Sequence, residues 1–327
     1  MKVKVGVVGA TGEVGRTMVK VLEEFNVPVT ELRLFASERS VGKEIEFKGE
    51  KFKVELLTEE SMKWRCDYLL FSAGASVSRK FAPIAAENGV TVIDNSSAFR
   101  MEKEIPLVVP EVNAHLLKGY TGIIANPNCS TIQMILSIYK LHEVYGIEEI
   151  FVSTYQSVSG AGHKGIEELF AQERGENVMK VFPKPIHRNV IPLIGDIQEN
   201  LFSQEEMKMV NETRKILNDY SIRVYPTTVR VPVLYGHSEA IMVRFKKPYE
   251  SLEKVREIIA SGEDVVVTDD LVTPVDVAGK NETYVCRLRA ADERSILFWN
   301  VADNIRVGAA TNAVRILLKH AEMNGKV

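Results

Sequence analysis

The sequence predicts an α/β protein, with a doubly wound parallel sheet in the first part of the chain and an α+β arrangement in the second. Three observations carry that prediction. A β-branched strand, Lys2 to Val8, runs into Gly9-Ala10-Thr11-Gly12-Glu13-Val14-Gly15 and an amphipathic run to Glu24. Short strands and helices then alternate up to Ala125, and beyond Asn126-Pro127-Asn128 the strands lengthen. At 327 residues the chain also exceeds the size at which one hydrophobic core usually stops growing, so two domains are expected.

The opening strand and helix lead through Pro28 into a second strand, Glu31 to Ala36, completing a βαβ unit. Tyr68 to Ser72 reads as a buried strand and Val77 to Asn88 as a helix stopped by Gly89. Val90 to Asp94, Leu107 to Val109 and Gly122 to Ala125 read as further strands. Past a boundary near Cys129, a helix from Cys129 to Tyr145 precedes strands at Ile147 to Ser157, His237 to Phe245 and Val285 to Arg289, which are expected to pair antiparallel. Helices are expected at Ile166 to Glu173, Glu205 to Leu217 and Leu252 to Ile259, and a last one, Arg306 to Glu322, is expected to return to the first domain.

Hydrophobic residues at 45% and charged residues at 26% lie in the globular range and leave no compositional case for disorder. A net charge of -3 with mixed signs offers no basic field for a phosphate backbone, so nucleic acid is a poor partner and small molecules remain. The first residues carry no basic leader or cleavage site, and no apolar run reaches the length of a membrane span. Cys66, Cys129 and Cys286 are odd in number and widely spaced, with no CxxC pair; neither a metal site nor a redox disulfide is expected, and a reducing cytoplasm fits best.

Gly9, Gly12 and Gly15 sit where a Rossmann-type turn needs a tight bend and close backbone approach, so that helix N–H groups face a pyrophosphate. The spacing alone is weak, since glycine turns between strand and helix are common; the strand before and the helix after strengthen it. At the end of the second strand, where a ribose contact belongs, stand Ser37-Glu38-Arg39-Ser40. Two hydroxyls and a guanidinium suit a 2′-phosphate, which favours NADP over NAD, while Glu38 would repel that phosphate unless it turns away.

Cys129 opens an apolar helix directly after Asn128, so its sulfur meets the positive end of the helix dipole, which favours thiolate. Cys66 precedes a strand and Cys286 lies inside one, and both read as core thiols. A thiolate beside a nicotinamide can add to an aldehyde, hold the adduct while hydride leaves, and retain the acyl group as a thioester for a second nucleophile. That chemistry needs a proton acceptor, for which His237 is the candidate, although spacing does not tie it to Cys129.

Together, Gly9 to Gly15, Asp94-Asn-Ser-Ser-Ala-Phe-Arg100, Asn126-Pro-Asn-Cys-Ser-Thr131, Tyr155-Gln-Ser-Val-Ser-Gly-Ala-Gly162, Glu205-Glu-Met-Lys208 and Arg230 to His237 resemble the aspartate-semialdehyde dehydrogenase family over nearly the whole chain. The resemblance implies reversible NADPH-dependent reduction of aspartyl phosphate to aspartate semialdehyde and phosphate, on the route to lysine, methionine and threonine. It implies an NADP-binding Rossmann domain over 1–128 and 306–327, a catalytic and dimerisation domain over 129–305, and a homodimer or homotetramer. By position it implies Cys129 as nucleophile, Gln156 orienting the substrate, His237 as acid/base, and Arg230 clamping the substrate carboxylate. Glu205 would then contact the substrate amino group, Arg100 and Lys208 would bind phosphate, and Asn128 would complete the substrate site. Gly9, Thr11, Gly12, Glu13, Val14, Ser37, Arg39 and Ser40 would hold the cofactor, with Ser159, Gly160 and Asn304 on its nicotinamide side. From spacing alone, Glu205 and Lys208 read as a surface i,i+3 pair.

N-acetylglutamyl-phosphate reductase shares the chemistry, but a Pro-Gly-Cys-Tyr-type segment is replaced here by Pro127-Asn-Cys-Ser130. The Cys-Thr-Thr-Asn-Cys-type segment of glyceraldehyde-phosphate dehydrogenase is absent. A non-catalytic NADP-binding sensor on the same fold is the alternative from another class, and intact residues at 129, 156 and 237 weigh against it.

Overall fold

A computed structural model describes residues 2–326; the terminal Met1 and Val327, which fall at the two ends of the expected first domain, lie outside the described residues. Among the described residues thirteen strands run in chain order: β1 (Val3–Val8), β2 (Val29–Ala36), β3 (Glu44–Phe47), β4 (Glu50–Leu56), β5 (Tyr68–Phe71), β6 (Thr91–Asp94), β7 (Ile123–Ala125), β8 (Ile147–Gln156), β9 (Arg223–Arg230), β10 (His237–Phe245), β11 (Val265–Val267), β12 (Thr283–Asp292) and β13 (Ser295–Ala302). The α-helices are α1 (Glu13–Glu24), α2 (Ala75–Glu87), α3 (Pro110–Asn113), α4 (Cys129–Tyr145), α5 (His163–Glu173), α6 (Gln204–Leu217), α7 (Leu252–Ala260), α8 (Pro274–Val277) and α9 (Asn312–Met323). They fall into two compact units, one of residues 1–127 with 309–327 and one of residues 128–308.

The first unit is built on a seven-stranded sheet ordered β3-β4-β2-β1-β5-β6-β7. All its pairings are parallel except the edge pair β3–β4. Strand side chains divide between two cores, as in a doubly wound sheet: Tyr68 and Leu70 of β5 pack on one face with Met18 and Leu22 of α1 and Val314 and Leu317 of α9, while Leu69 and Phe71 pack on the other with Ala82 and Ala85 of α2. Sequence reading passed over the β3–β4 hairpin. Its turn residues Lys48 and Gly49 both have positive φ, 52° and 78°, the signature of a two-residue hairpin loop. Leu107 to Val109, expected as a strand, makes only a single bridge, Leu107 to Ala125, because Pro110 immediately opens α3.

The second unit has a six-stranded sheet ordered β11-β12-β13-β10-β8-β9. The expectation of antiparallel pairing holds for the strands it named, β8, β10 and β12, with β13 between the last two; the edge strands β9 and β11, which the sequence did not mark, pair parallel. The parallel register of β8 and β9 sets Gln156 opposite Arg230, so two candidate site residues leave the sheet side by side. α4 is buried on nearly every face, as the central helix of a core is, and stops at Gly146 with φ 66°. The expected helix Arg306 to Glu322 divides into a π-helical turn, Arg306–Thr311, and α9.

Candidate active site

The glycine turn is built for close approach. A side chain on Gly15 would place Cβ 2.2 Å from the Gly9 carbonyl oxygen, and Gly9, with φ +80°, would place its own 2.9 Å from the Ser72 backbone. The turn is anchored by Gly9 and Ala10 N–H groups donating to Phe35 O at 2.8 and 3.2 Å, and Gly12 is the N-cap of α1. Thr11 Oγ1 lies 3.1 Å from Ser40 Oγ, which ties the turn to the 3-10 segment after β2. Ser40 is therefore drawn inward, whereas Ser37, Glu38 and Arg39 are exposed. Glu13 and Val14 open α1 at the turn, half-buried. Arg16 was not foreseen; its Nε donates to Thr11 O at 3.1 Å, which adds an exposed cation beside the turn. In the same unit Arg100 is 6% exposed, with Nε on Asn126 O at 2.9 Å and Nη2 on Asn95 O at 3.0 Å.

In the second unit Cys129 is the first residue of α4. Asn128 caps that helix, its Oδ1 accepting from Ser130 and Thr131 N–H at 3.1 and 3.2 Å. Its Nδ2 donates to Glu205 Oε1 at 2.8 Å, and its backbone N–H donates to Glu212 Oε2 at 2.6 Å. The cap therefore fixes the helix start and holds Glu205 at once. Lys208 Nζ meets Glu205 Oε2 at 2.9 Å, and Gln156 Nε2 reaches Glu205 Oε1 at 3.4 Å. Burial pushes the Glu205 carboxyl up, but the charge and hydrogen bond of Lys208, the Asn128 amide and Arg230 outweigh it and hold the pKa down at about 2. The pair is thus i,i+3 on a helix, as the spacing reads, but the carboxylate is only 7% exposed and not on the surface.

Arg230 ends β9 with Nη1 on Ser157 O at 2.7 Å and its guanidinium 5.9 Å from the centre of the Phe182 ring. Burial lowers its pKa, while Glu205 and Cys129 act the other way, which sets all three in one electrostatic cluster. His237, fully buried at the start of β10, accepts at Nδ1 from Ser157 N–H at 3.1 Å, with the Ser157 hydroxyl also at 3.1 Å. A neutral ring that accepts at Nδ1 carries its proton on Nε2, and Nε2 has no partner among the described residues. Burial and the Arg230 charge push the His237 pKa down to about 3, so the ring is neutral and presents a buried N–H. Gly160 leaves the space in front of it: a Cβ there would fall 2.6 Å from Arg230 Nη1 and 3.2 Å from His237 Nε2. Asn304, 2% exposed, accepts at Oδ1 from Ser157 Oγ at 3.1 Å and Gly236 N–H at 2.9 Å, and its Nδ2 donates to Ser159 Oγ at 3.1 Å. Burial also pushes the Cys66 thiol up to about 12, and Cys286 is 1% exposed, which leaves Cys129 as the thiol with reactive surroundings. Among the described residues no cluster of His, Cys, Asp and Glu is disposed to hold a metal, and no helix is long and apolar enough to cross a membrane.

Residues 4–120 match the semialdehyde dehydrogenase NAD binding domain, and residues 139–307 match the semialdehyde dehydrogenase dimerisation domain. Over 97% of both chains the sequence is 48% identical to an aspartate-semialdehyde dehydrogenase of Aquifex aeolicus. The chain belongs to the aspartate-semialdehyde dehydrogenase family. Its fold is close to the crystal structure of aspartate semialdehyde dehydrogenase II from Vibrio cholerae complexed with ASA, with a TM-score of 0.95 and 46% identity over 98% of this chain and 99% of that one. A more distant member, an aspartate semialdehyde dehydrogenase from Candida albicans solved with NADP, superposes with a TM-score of 0.79 at 25% identity over the whole of both chains.

Within this aspartate-semialdehyde dehydrogenase fold, the second unit brings together Cys129, Asn128, Gln156, Glu205, Lys208, Arg230 and His237, residues that lie more than a hundred positions apart at the extremes. Arg100 belongs to the first unit. Sequence reading missed Glu212, an ordinary helical glutamate by pattern; Ser157, which the resemblance places with Ser159 and Gly160 on the nicotinamide side, has a wider part, its carbonyl, N–H and hydroxyl serving Arg230, His237 and Asn304 together.

Proposed function

We propose that the protein catalyses the reversible NADPH-dependent reduction of aspartyl 4-phosphate to aspartate 4-semialdehyde and phosphate through a thioester on Cys129, a step of lysine, methionine and threonine biosynthesis in the cytoplasm. The observation that carries this reading is the first residue of α4: a thiol at a helix N-terminus whose cap, Asn128, also holds a buried carboxylate paired with a lysine.

The residues fit a dinucleotide in the first unit, where Gly12 caps α1 and Gly15, which has no room for a Cβ, lets the helix start press against the Gly9–Ala10 backbone. Gly9, Thr11, Gly12, Glu13 and Val14 would line the pyrophosphate. Ser37 and Arg39, exposed after β2, and the neighbouring Arg16 favour a 2′-phosphate and hence NADP, with Ser40 acting through Thr11. When bound, the nicotinamide supplies or takes up the hydride. The first unit forms the NADP-binding domain, expected over 1–128 and 306–327, and the second, which takes in Asn128 and residues 306–308, forms the catalytic and dimerisation domain expected over 129–305, which associates as a homodimer or homotetramer. Exposed Phe151 and Tyr225, stacked at 4.6 Å on the outer face of β8 and β9, suit such an apolar interface.

In the reductive direction the Cys129 thiolate attacks the acyl carbon, and phosphate leaves with the bonding pair. Arg100 and Lys208 receive that dianion. Arg230 clamps the substrate carboxylate with its planar fork, Glu205 takes the amino group, and Gln156 orients the reacting end. Once the thioester carbon is reduced, His237 donates its Nε2 proton to the oxygen there and takes it back as the C–S bond breaks to give the aldehyde and the Cys129 thiolate. Ser159, Gly160 and Asn304 bound the nicotinamide side, Asn304 by fixing Ser157 and Ser159. With aspartate semialdehyde as substrate, reduced cofactor should form beyond one equivalent per Cys129 only when phosphate is present, and faster with NADP than with NAD. Phosphate-independent turnover would refute the reaction, and equal use of NAD would refute the cofactor assignment.

A further inference from the structure

Four residues after Cys129, and therefore on the same face of α4, stands a buried side chain that the reaction does not use. Gln133 is 0% exposed, and its Nε2 donates to the His237 carbonyl and to Asn300 Oδ1, each at 3.2 Å. Asn300, on β13, returns its Nδ2 to Gln133 O at 2.8 Å and to Ser137 Oγ at 2.9 Å. Opposite Asn300 in the antiparallel register is Glu239, two residues along β10 from His237 and on the same strand face. A single amide thus fastens the helix that begins with Cys129 to the strand that begins with His237.

The acceptors complete the pattern. Gln133 Oε1 and both Glu239 carboxyl oxygens are buried with no partner among the described residues. Both Gln133 N–H groups are already taken by His237 O and Asn300 Oδ1, so only its Oε1 is left to meet the Glu239 carboxyl, on which no charged residue acts. Two acceptor oxygens cannot bond unless one carries a proton. Burial pushes the Glu239 pKa well above the carboxylate range, so the proton is there to share. With Glu239 O–H donating to Gln133 Oε1, both N–H bonds of Gln133 are directed at His237 O and Asn300 Oδ1, and the amide cannot flip.

We propose that Gln133, oriented by the Glu239 O–H, is a positioning residue that sets His237 against the face of α4 bearing Cys129. The proposal rests on the reading of Cys129 and His237 as the reacting pair. Misplacement by about 1 Å costs on the order of 100-fold in rate. Gln133→Met, which keeps the volume and loses the amide, should therefore lower kcat by roughly 10- to 100-fold while KM for semialdehyde and phosphate stays within about twofold, the split expected when only the transition state is affected. Glu239→Gln, which keeps a neutral donor, should retain kcat; Glu239→Met should lose it. Full kcat in Gln133→Met, a matching rise in KM, or equal loss in Glu239→Gln and Glu239→Met would overturn the proposal. If Gln133→Met does not fold, the contrast between the two Glu239 variants decides. Trapping of the acyl group separates the two readings: acylation of another cysteine in the wild type refutes the reacting pair, whereas acylation of Cys129 in Gln133→Met at the wild-type rate refutes the positioning role alone.

Discussion

Asn128 and Glu205 are joined side chain to side chain at 2.8 Å, although one caps the helix of the thiol and the other lies on α6. The same amide accepts the first free N–H groups of α4, so helix capping and site assembly depend on one residue. Asn128→Ala should cost about 1 kcal/mol of stability from the lost cap and lower kcat/KM roughly tenfold or more as Glu205 shifts. Asn128→Asp keeps the cap acceptor and replaces the donor by a like charge facing Glu205. Its thermal midpoint should fall less than that of Asn128→Ala, while its kcat/KM falls as far. Thermal melts beside steady-state kinetics read both, and unchanged kinetics in either variant would contradict the link.

Two glycines should fail differently. A Cβ on Gly160 meets Arg230 Nη1 at 2.6 Å, and one on Gly308 meets Cys129 Cβ at 2.6 Å and Cα at 2.9 Å. Overpacking typically costs about 1–3 kcal/mol. Gly160→Ala displaces the end of a flexible guanidinium, so it should raise KM for semialdehyde with kcat less affected. Gly308→Ala presses on the nucleophile's own backbone and should chiefly reduce kcat. Kinetics with each variant, after circular dichroism shows both folded, give the comparison; the same pattern in both would contradict the assignment.

The buried Glu205 makes stability pH-dependent. Its folded pKa of about 2 lies below the ordinary 4.5, so its contribution is complete above pH 4.5 and is lost as pH falls through the window down to about 2. The depressed His237 acts in the same direction between 6.5 and about 3, since the unfolded ring binds its proton first. The difference in unfolding free energy between wild type and Glu205→Gln, on the order of a few kcal/mol at neutral pH, should shrink as pH drops from 5 toward 3. Denaturant melts at several pH values test it, and a constant difference would show that Glu205 is not held ionised.

Much of this was legible in the sequence because local chemistry dictated it. The span of α4 follows from Asn128 as cap, a continuous apolar run and Gly146 as stop, and β10 from its alternation between His237 and Phe245. The β3–β4 hairpin escaped notice because its charged strands mask the alternation of Ile45 and Phe47, although Lys48-Gly49 marked the turn. The parallel edge strands β9 and β11 depend on long-range pairing, which no local pattern encodes. In the site, the motifs named the side chains proposed to meet substrate, but the contacts supporting them, Glu212 on Asn128 and Ser157 on His237, span about eighty residues and carry no signature of their own.

The two cations of the second unit should separate by substrate. Arg230→Lys keeps the charge but loses the fork that donates to Ser157 O, so it should weaken binding of the amino-acid end by about 1.5–3 kcal/mol, the range for a hydrogen bond to a charged group. Lys208→Ala should chiefly raise the phosphate requirement. Kinetics with semialdehyde and phosphate varied independently distinguish them; an exchange of the two effects would show the anion sites to be allocated the wrong way round.

The central claim is that Cys129 carries the acyl group. Incubation with aspartate semialdehyde and NADP in the absence of phosphate, followed by acid quench and peptide mass spectrometry, should find a β-aspartyl adduct on the peptide containing Cys129, discharged on adding phosphate before the quench. An adduct on Cys66 or Cys286, or reduced cofactor formed without any cysteine adduct, would contradict the account.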